Sequence, residues 1–246
     1  MTVHPAAPSL DLLREQIAAL LQDPATSHGL SRTLRAAAKE LEISRHHQAT
    51  NRAWPNGRID TTPQKVQIGG GAHRIDGFFN IDAVPPADLL WDIREGIPLH
   101  DASVQLMFSE HFLEHIDYPR SVKHYAREAH RVLADGGQLV TGVPDAAFLL
   151  KHYPANPELA TEMVERWYSK RNCLGDINTF LDLINYTFRD QDDTPNYTPH
   201  LWAYDEKKLI QLFTEAGFRT VEPWDFDATM ANPKRQWGSV YVVAKK

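Results

Sequence analysis

Hydrophobic positions along the chain fall into two regimes. In residues 9–22, "SLDLLREQIAALLQ", Leu12, Leu13, Ile17, Leu20 and Leu21 recur at helical spacing behind a Ser9 or Asp11 cap. Residues 31–44, "SRTLRAAAKELEIS", repeat the pattern more weakly, and "NRAWPNGRIDTTPQ" follows as a loop rich in turn residues. This pattern predicts a helical arm over residues 1–63, ahead of a main domain over 64–246. From Lys65 the texture changes to short β-rich runs: "KVQIGG", "FFNID" (78–82), "DLLWD" (88–92), "VQLMFS" (104–109), "GQLVTGV" (137–143), "RTVEP" (219–223) and "SVYVVA" (239–244). Two amphipathic helices separate some of them. In 119–134, Val122, Tyr125, Ala126, Ala129, Val132 and Leu133 form one apolar stripe, with Gly136 as its expected stop. In 205–216, Leu209, Ile210, Leu212 and Phe213 do the same, between an Asp205 N-cap and a Gly217 stop. Strands alternating with helices predict an α/β fold, a doubly wound and mostly parallel sheet.

Residues 146–203 break the alternation. "PELATEMVERWYSKRN" and "DINTFLDLINYTF" have helical texture, and the stretch carries Phe148, Tyr153, Trp167, Tyr168, Phe180, Tyr186, Phe188, Tyr197 and Trp202. An aromatic-rich insertion after the fifth strand suits a lid or pocket element, and equally a small helical subdomain whose aromatics only pack.

Composition narrows the function. The net charge of −6, with no Lys/Arg cluster, is the wrong sign for sequence-independent nucleic-acid binding. No apolar run approaches the roughly 18 residues of a spanning helix, and the first ten residues lack a secretory pattern. The only cysteine, Cys173, excludes a structural disulfide or multi-cysteine metal centre within the chain. A cytoplasmic protein with a small-molecule or protein partner is the expectation.

Chemistry concentrates at strand ends. Gly69, Gly70 and Gly71 follow the first strand directly, where glycines let the backbone turn sharply and turn its N–H groups toward a ligand. The second strand ends in Asp82, which can accept from both hydroxyls of a ribose. The third ends in Asp92, placed to accept from an adenine amino group. Three such features at successive strand ends point to an adenosine-type ligand.

These residues also carry a resemblance. "IGGG" (68–71), "GFFNID" (77–82), "GIPLHDASVQLMFSEHFLEHI" (96–116), "RVLADGG" (131–137), "VPD" (143–145) and "AYDEKKLIQLFTEAGF" (203–218) are similar to the class I S-adenosylmethionine-dependent methyltransferases with a short first crossover. The similarity covers about half the chain, residues 65–145 and 200–246. It implies a Rossmann-like, seven-stranded sheet with an antiparallel last strand. It implies S-adenosyl-L-methionine as cofactor and S-adenosyl-L-homocysteine as product. It says nothing about residues 1–60 and little about 146–199 beyond a lid position; the helical arm and the insertion at about 146–200 are expected to close over the site. Residue by residue, it implies that Gly69 and Gly71 hold the loop under the methionine part, with Gly70 where the family often has cysteine. Asp82 would bind the ribose, Ala83, Val84, Asp92 and Ile93 would flank the adenine, and Ser109, Glu110 and His111 would lie where cofactor and acceptor meet. Only 11 positions separate Gly71 from Asp82, room for one helical turn and not for the crossover of a dinucleotide fold.

His111 is the best-placed titratable group, either as a proton acceptor or as a structural hydrogen-bonding residue. Asp145, His200 and Tyr204 are further candidates for holding an acceptor or taking its proton. The acceptor is expected to be a small molecule, a natural-product or sugar-type intermediate, and a homodimer is a natural assembly. One rival is a cofactor-binding protein of the same fold that transfers no methyl group. Another reads His111-Phe-Leu-Glu114-His115 as H-x-x-E-H, a zinc hydrolase signature. That signature sits immediately after a strand, where "LEHI" packs against the sheet, and no metal is expected.

Overall fold

The computed structural model describes residues 9–54, 58–153, 162, 179–189 and 198–246. All seven strand-like runs form strands of one sheet: β1 (Lys65–Ile68), β2 (Phe79–Asp82), β3 (Leu89–Leu90), β4 (Val104–Glu110), β5 (Leu133–Pro144), β6 (Thr220–Pro223) and β7 (Ser239–Lys245). The order is β3-β2-β1-β4-β5-β7-β6. The pairs from β3 through β5 are parallel, and β7 runs antiparallel to both β5 and β6. The order reverses beside β1, where β2 lies on one side and β4 on the other. Open α/β sheets form a crevice at the strand C-terminal ends of such a switch point.

Alternation along the strands sorts side chains between two cores. Met107, Leu139, Val242 and Ala244 join the large core, together with Val122, Tyr125, Ala126, Ala129 and Val132. Their sequence neighbours Phe108, Val140, Tyr241 and Val243 pack on the other face with Ala231, Trp224 and Phe226. Each fully buried Val, Leu or Met contributes roughly 1.5–3 kcal/mol.

Six described helices accompany the sheet: α1 (Leu10–Gln22), α2 (His28–Ala53), α3 (Arg120–Val132), α4 (Ala146–His152), α5 (Phe180–Arg189) and α6 (Glu206–Glu215). Ser9 caps α1 by accepting from Leu12 N, and Asp205 caps α6 by accepting from Lys208 N. Three boundaries differ from the sequence pattern. Helix α2 is much longer than the 31–44 stripe, from a Ser27 cap through the first residues of the expected loop. Helix α3 stops at Val132 instead of at the glycine. Leu133 is already extended and pairs with Val104, and Gly136 sits in an irregularity of β5 before pairing resumes at Gln138. The β1–β2 connection consists of turns, without the expected helical turn.

The long helix is tied to the sheet edge by polar contacts. Thr50 Oγ1 donates to Leu90 O at 2.8 Å, His46 Nδ1 lies 3.3 Å from Ala83 O, and the His47 ring packs on Trp91 at 4.0 Å. Apart from Glu162, the "PELATEMVERWYSKRN" stretch lies outside the described residues, as do Cys173 and Tyr197. No described helix is long and apolar enough to cross a membrane.

Candidate functional site

A cavity of about 490 Å³ opens at the switch point. Its floor is the turn after β1. Gly69 has φ of +65°, and a Cβ built there would come within 2.6 Å of Phe112 Cδ2. Gly70 N donates to Asn80 Oδ1 at 3.2 Å, and a side chain at that position would meet the same oxygen at 2.7 Å. Both glycines are therefore required by close approach, one to an aromatic ring and one to its own hydrogen-bond acceptor. The short crossover keeps this turn against the tip of β2. Gly71 N donates to Asp82 Oδ2 at 3.0 Å, and Val84 N donates to Oδ1 at 3.2 Å. Burial pushes the Asp82 carboxyl above its ordinary pKa, against the stabilising N–H groups of Gly71, Val84 and Ala83.

Asp92 takes a different set of partners from the one its strand-end position suggests. It accepts from Arg94 N and Nε through Oδ1 and from Arg94 Nη2 through Oδ2, all within 3.0 Å. The same guanidinium forks onto Glu40 of α2 at 2.7 and 3.1 Å. These bonds hold the Arg94 pKa above its usual value. One arginine thus bridges the β3 end to the N-terminal arm, and Glu40 and Ile43 of α2 join Asp92, Ile93 and Arg94 in lining the cavity.

The other end of the cavity is built after β4. Glu110, only 5% exposed, accepts from Tyr241 Oη at 2.7 Å, Asn232 N at 3.0 Å and Arg235 Nη1 at 3.0 Å. Burial first, then the adjacent carboxylate, raises the Tyr241 pKa, so this phenol remains a donor. The chain then turns through His111 at φ of +52°, a left-handed conformation uncommon outside glycine. His111 N donates to Gly142 O at 2.8 Å, its Nε2 lies 2.8 Å from Ser239 Oγ, and its Nδ1 lies 3.7 Å from Glu114 Oε1. Strain of this kind is sustained only when the surroundings over-determine it, and it concentrates at functional sites.

Of the sequence candidates, Gly69, Gly70, Gly71, Asp82, Ala83, Val84, Asp92, Ile93 and His111 all line this cavity. Ser109 and Glu110 do not: Ser109 Oγ is buried against Thr141 Oγ1 at 3.1 Å, and Glu110 is held as described. Asp145 is also absent from the lining. It caps α4 by accepting from Ala147 N at 2.9 Å, and burial raises its pKa. Tyr204, 2% exposed, forms an isolated bridge with Asp145, and burial followed by the nearby Glu114 charge raises its pKa. His200 is buried behind the cavity wall, its ring edge-on to His115 at 4.9 Å. The sequence did not single out Phe112, Arg94, Thr198, Asn232 or Arg235, nor Glu40 and Ile43 within the arm. These come from distant segments or from residue types without a strand-tip signal.

The zinc hydrolase reading does not fit this geometry. Leu113–His115 is one 3-10 turn, so His111 and His115 are not a helical ligand pair, and His111 is turned to Ser239. Leu113 and Ile116 are buried in the core, as the packing reading expected. Among the described residues, Glu114, His115 and His200 each offer a ligating atom, and these three atoms lie within 4.8 Å of one another.

Residues 82–141 match the family model described as a methyltransferase domain. No curated protein sequence matches the chain. Among solved structures, the chain is similar to a SAM-dependent methyltransferase of Thermotoga maritima, a possible histamine N-methyltransferase. The identity is 17%, covering 83% of this chain and 91% of that one, with a TM-score of 0.43. It is similar to a SAM-dependent methyltransferase of Methanosarcina mazei at 14% identity, covering 78% and 96%, TM-score 0.43. It is also similar to human N-acetylserotonin methyltransferase, solved with SAM, at 14% identity, covering 95% and 66%, TM-score 0.41. The methyltransferase-domain match runs from the tip of β2 into β5, across the strands whose ends border the cavity.

Proposed function

We propose that the chain transfers a methyl group from S-adenosyl-L-methionine to a small-molecule acceptor at the His111 end of the switch-point cavity. The observation that carries this reading is the clasp between Gly71 N and Asp82 Oδ2. It sets a glycine turn and a strand-tip carboxylate side by side in one cavity. Asp82 offers ribose-accepting oxygens, with Ala83, Val84, Asp92 and Ile93 around the adenine position. Gly69 and Gly71 leave room for the methionine part, over Phe112. When bound, the cofactor supplies an electrophilic methyl on a sulfonium centre.

The chain's own contribution is placement. Methyl transfer is an in-line displacement, and orienting the reactants supplies much of its acceleration. His111 is held by Gly142, Ser239 and Glu114, so its ring is fixed at the cavity wall. There it can orient an acceptor hydroxyl or amine, or accept its proton. Helix α2 supports the role of a cover, since Glu40 and Ile43 wall the cavity from the arm. Net charge of −6 and an aromatic insertion favour a small neutral or cationic acceptor over nucleic acid.

The test is turnover. Protein, methyl-labelled S-adenosylmethionine and a panel of phenol, sugar, amine and carboxylate acceptors are incubated, and S-adenosylhomocysteine release is followed. Release that depends on one acceptor class, with the label recovered on it, establishes the reading. Tight cofactor binding without turnover on any acceptor favours a cofactor-holding protein of the same fold.

A further inference from the structure

Behind the His111 end of the cavity lies a cluster that the methyl-donor seat does not use. Glu114 and His115 occupy the 3-10 turn after β4, and His200 belongs to the segment leading to Tyr204. The two segments are locked together by Leu201 N donating to Glu114 O at 2.6 Å. We propose that Glu114, His115 and His200 bind a divalent transition-metal ion of the zinc class.

Three observations converge. One ligating atom from each residue lies within 4.8 Å of the other two, and Glu114 Oε1 is 3.8 Å from His115 Nε2. A tetrahedral zinc ion with ligands at about 2.0–2.1 Å sets its ligand atoms about 3.3 Å apart, so small side-chain adjustments close the set. Both imidazoles face main-chain carbonyls through Nδ1: His115 to Thr198 O at 2.5 Å and His200 to Thr187 O at 3.0 Å. A carbonyl can only accept, so the proton sits on Nδ1 and the lone pair on Nε2. Metal-binding histidines are characteristically oriented and held in one tautomer by such an outer contact. Finally, Glu114 is 1% and His200 7% exposed, which shields the set from bulk water.

The placement has a consequence for chemistry. His115 and Thr198 line the cavity, and His111 Nδ1 is 3.7 Å from Glu114 Oε1. Three protein ligands leave a fourth tetrahedral position for water or for an oxygen of the acceptor. Relevance to the acceptor rests on the methyl-transfer reading, whereas ion binding itself does not.

Tag-free protein purified without chelator is analysed for metal by mass spectrometry, then stripped and titrated with Co²⁺ followed by Zn²⁺. Expected are about one equivalent of bound metal, visible Co²⁺ ligand-field bands, and their loss on adding Zn²⁺. His200→Gln and Glu114→Gln are each expected to weaken Co²⁺ binding at least about 10-fold. Circular dichroism and S-adenosylhomocysteine binding report whether these variants are folded. A folded wild-type protein with neither bound metal nor a Co²⁺ spectrum overturns the proposal, as does undiminished Co²⁺ binding in the folded variants. Failure to bind S-adenosylmethionine would sink the methyl-transfer reading while leaving the metal result standing.

Discussion

The main-chain N–H of Gly71 donates to Asp82 Oδ2 at 3.0 Å, joining the glycine turn after β1 to the tip of β2. The contact exists because the β1–β2 connection is short and contains no helix. A carboxylate at the end of β2 therefore holds the glycine loop and walls the same cavity.

Asp82→Ala removes both functions. It leaves the Gly71 and Val84 N–H groups without their acceptor, at about 1–3 kcal/mol if the vacated space stays dry. Affinity for S-adenosylhomocysteine is expected to fall at least about 50-fold, near 2.3 kcal/mol. Asp82→Asn keeps one oxygen and is expected to lose less. Calorimetric titration of the three proteins, with thermal unfolding as a folding control, checks the order.

Ligand binding is expected to depend on the Asp82 charge. An exposed aspartate titrates near 3.9, and burial holds Asp82 above that. Acidification should therefore weaken S-adenosylhomocysteine binding at a higher pH than an ordinary aspartate would dictate. The linkage runs the other way for folding. A carboxyl whose folded pKa is raised stabilises the fold below its unfolded pKa, and that contribution is lost as pH rises through the folded value. Binding loss on acidification is thus separable from unfolding driven by this group. Dissociation constants and circular dichroism measured across the same pH series distinguish them, and binding that is flat down to pH 4 would refute the assignment.

Gly69→Ala adds a methyl group within 2.6 Å of the Phe112 ring at a φ of +65°. The ring must shift or the turn must open. The expected cost is about 1–3 kcal/mol of stability, with at least a 10-fold loss of cofactor affinity. Denaturant unfolding and ligand titration of this variant, beside a control substitution at exposed Gly29, measure both.

Arg94 connects the arm to the cavity through its forks onto Glu40 and Asp92. Glu40 is more than half exposed, so Glu40→Gln is expected to change global stability by less than about 1 kcal/mol. Arg94→Ala leaves the far less exposed Asp92 carboxylate without its guanidinium. It is expected to lower cofactor affinity at least about 5-fold and to raise the protease sensitivity of the segment between α1 and α2. Limited proteolysis with and without S-adenosylhomocysteine reads the second effect.

All seven strands were legible because each is a β-rich run bounded by turn residues. The glycine turn, Asp82 and Asp92 were legible because strand tips at a switch point are where ligands gather. The second half of α2 was not, because it is held by Thr50, His46 and His47 against the β2 and β3 ends, and polar contacts leave no apolar period. Gly136 looked like a helix stop, but strand pairing of Leu133 with Val104 ends α3 first. Asp145 had the position of a reactive acid and serves as a helix cap. Thr198, Asn232 and Arg235 reach the cavity only through folding of segments more than 80 residues downstream of His111, which local patterns do not report.

The most direct measurement is calorimetric titration of the purified protein with S-adenosylmethionine and S-adenosylhomocysteine, repeated for Asp82→Ala. Micromolar, one-to-one binding that is lost in the variant is the expected result. Absence of binding to the folded wild-type protein, or equal binding by wild type and variant, would contradict the cofactor seat proposed between Gly71 and Asp82.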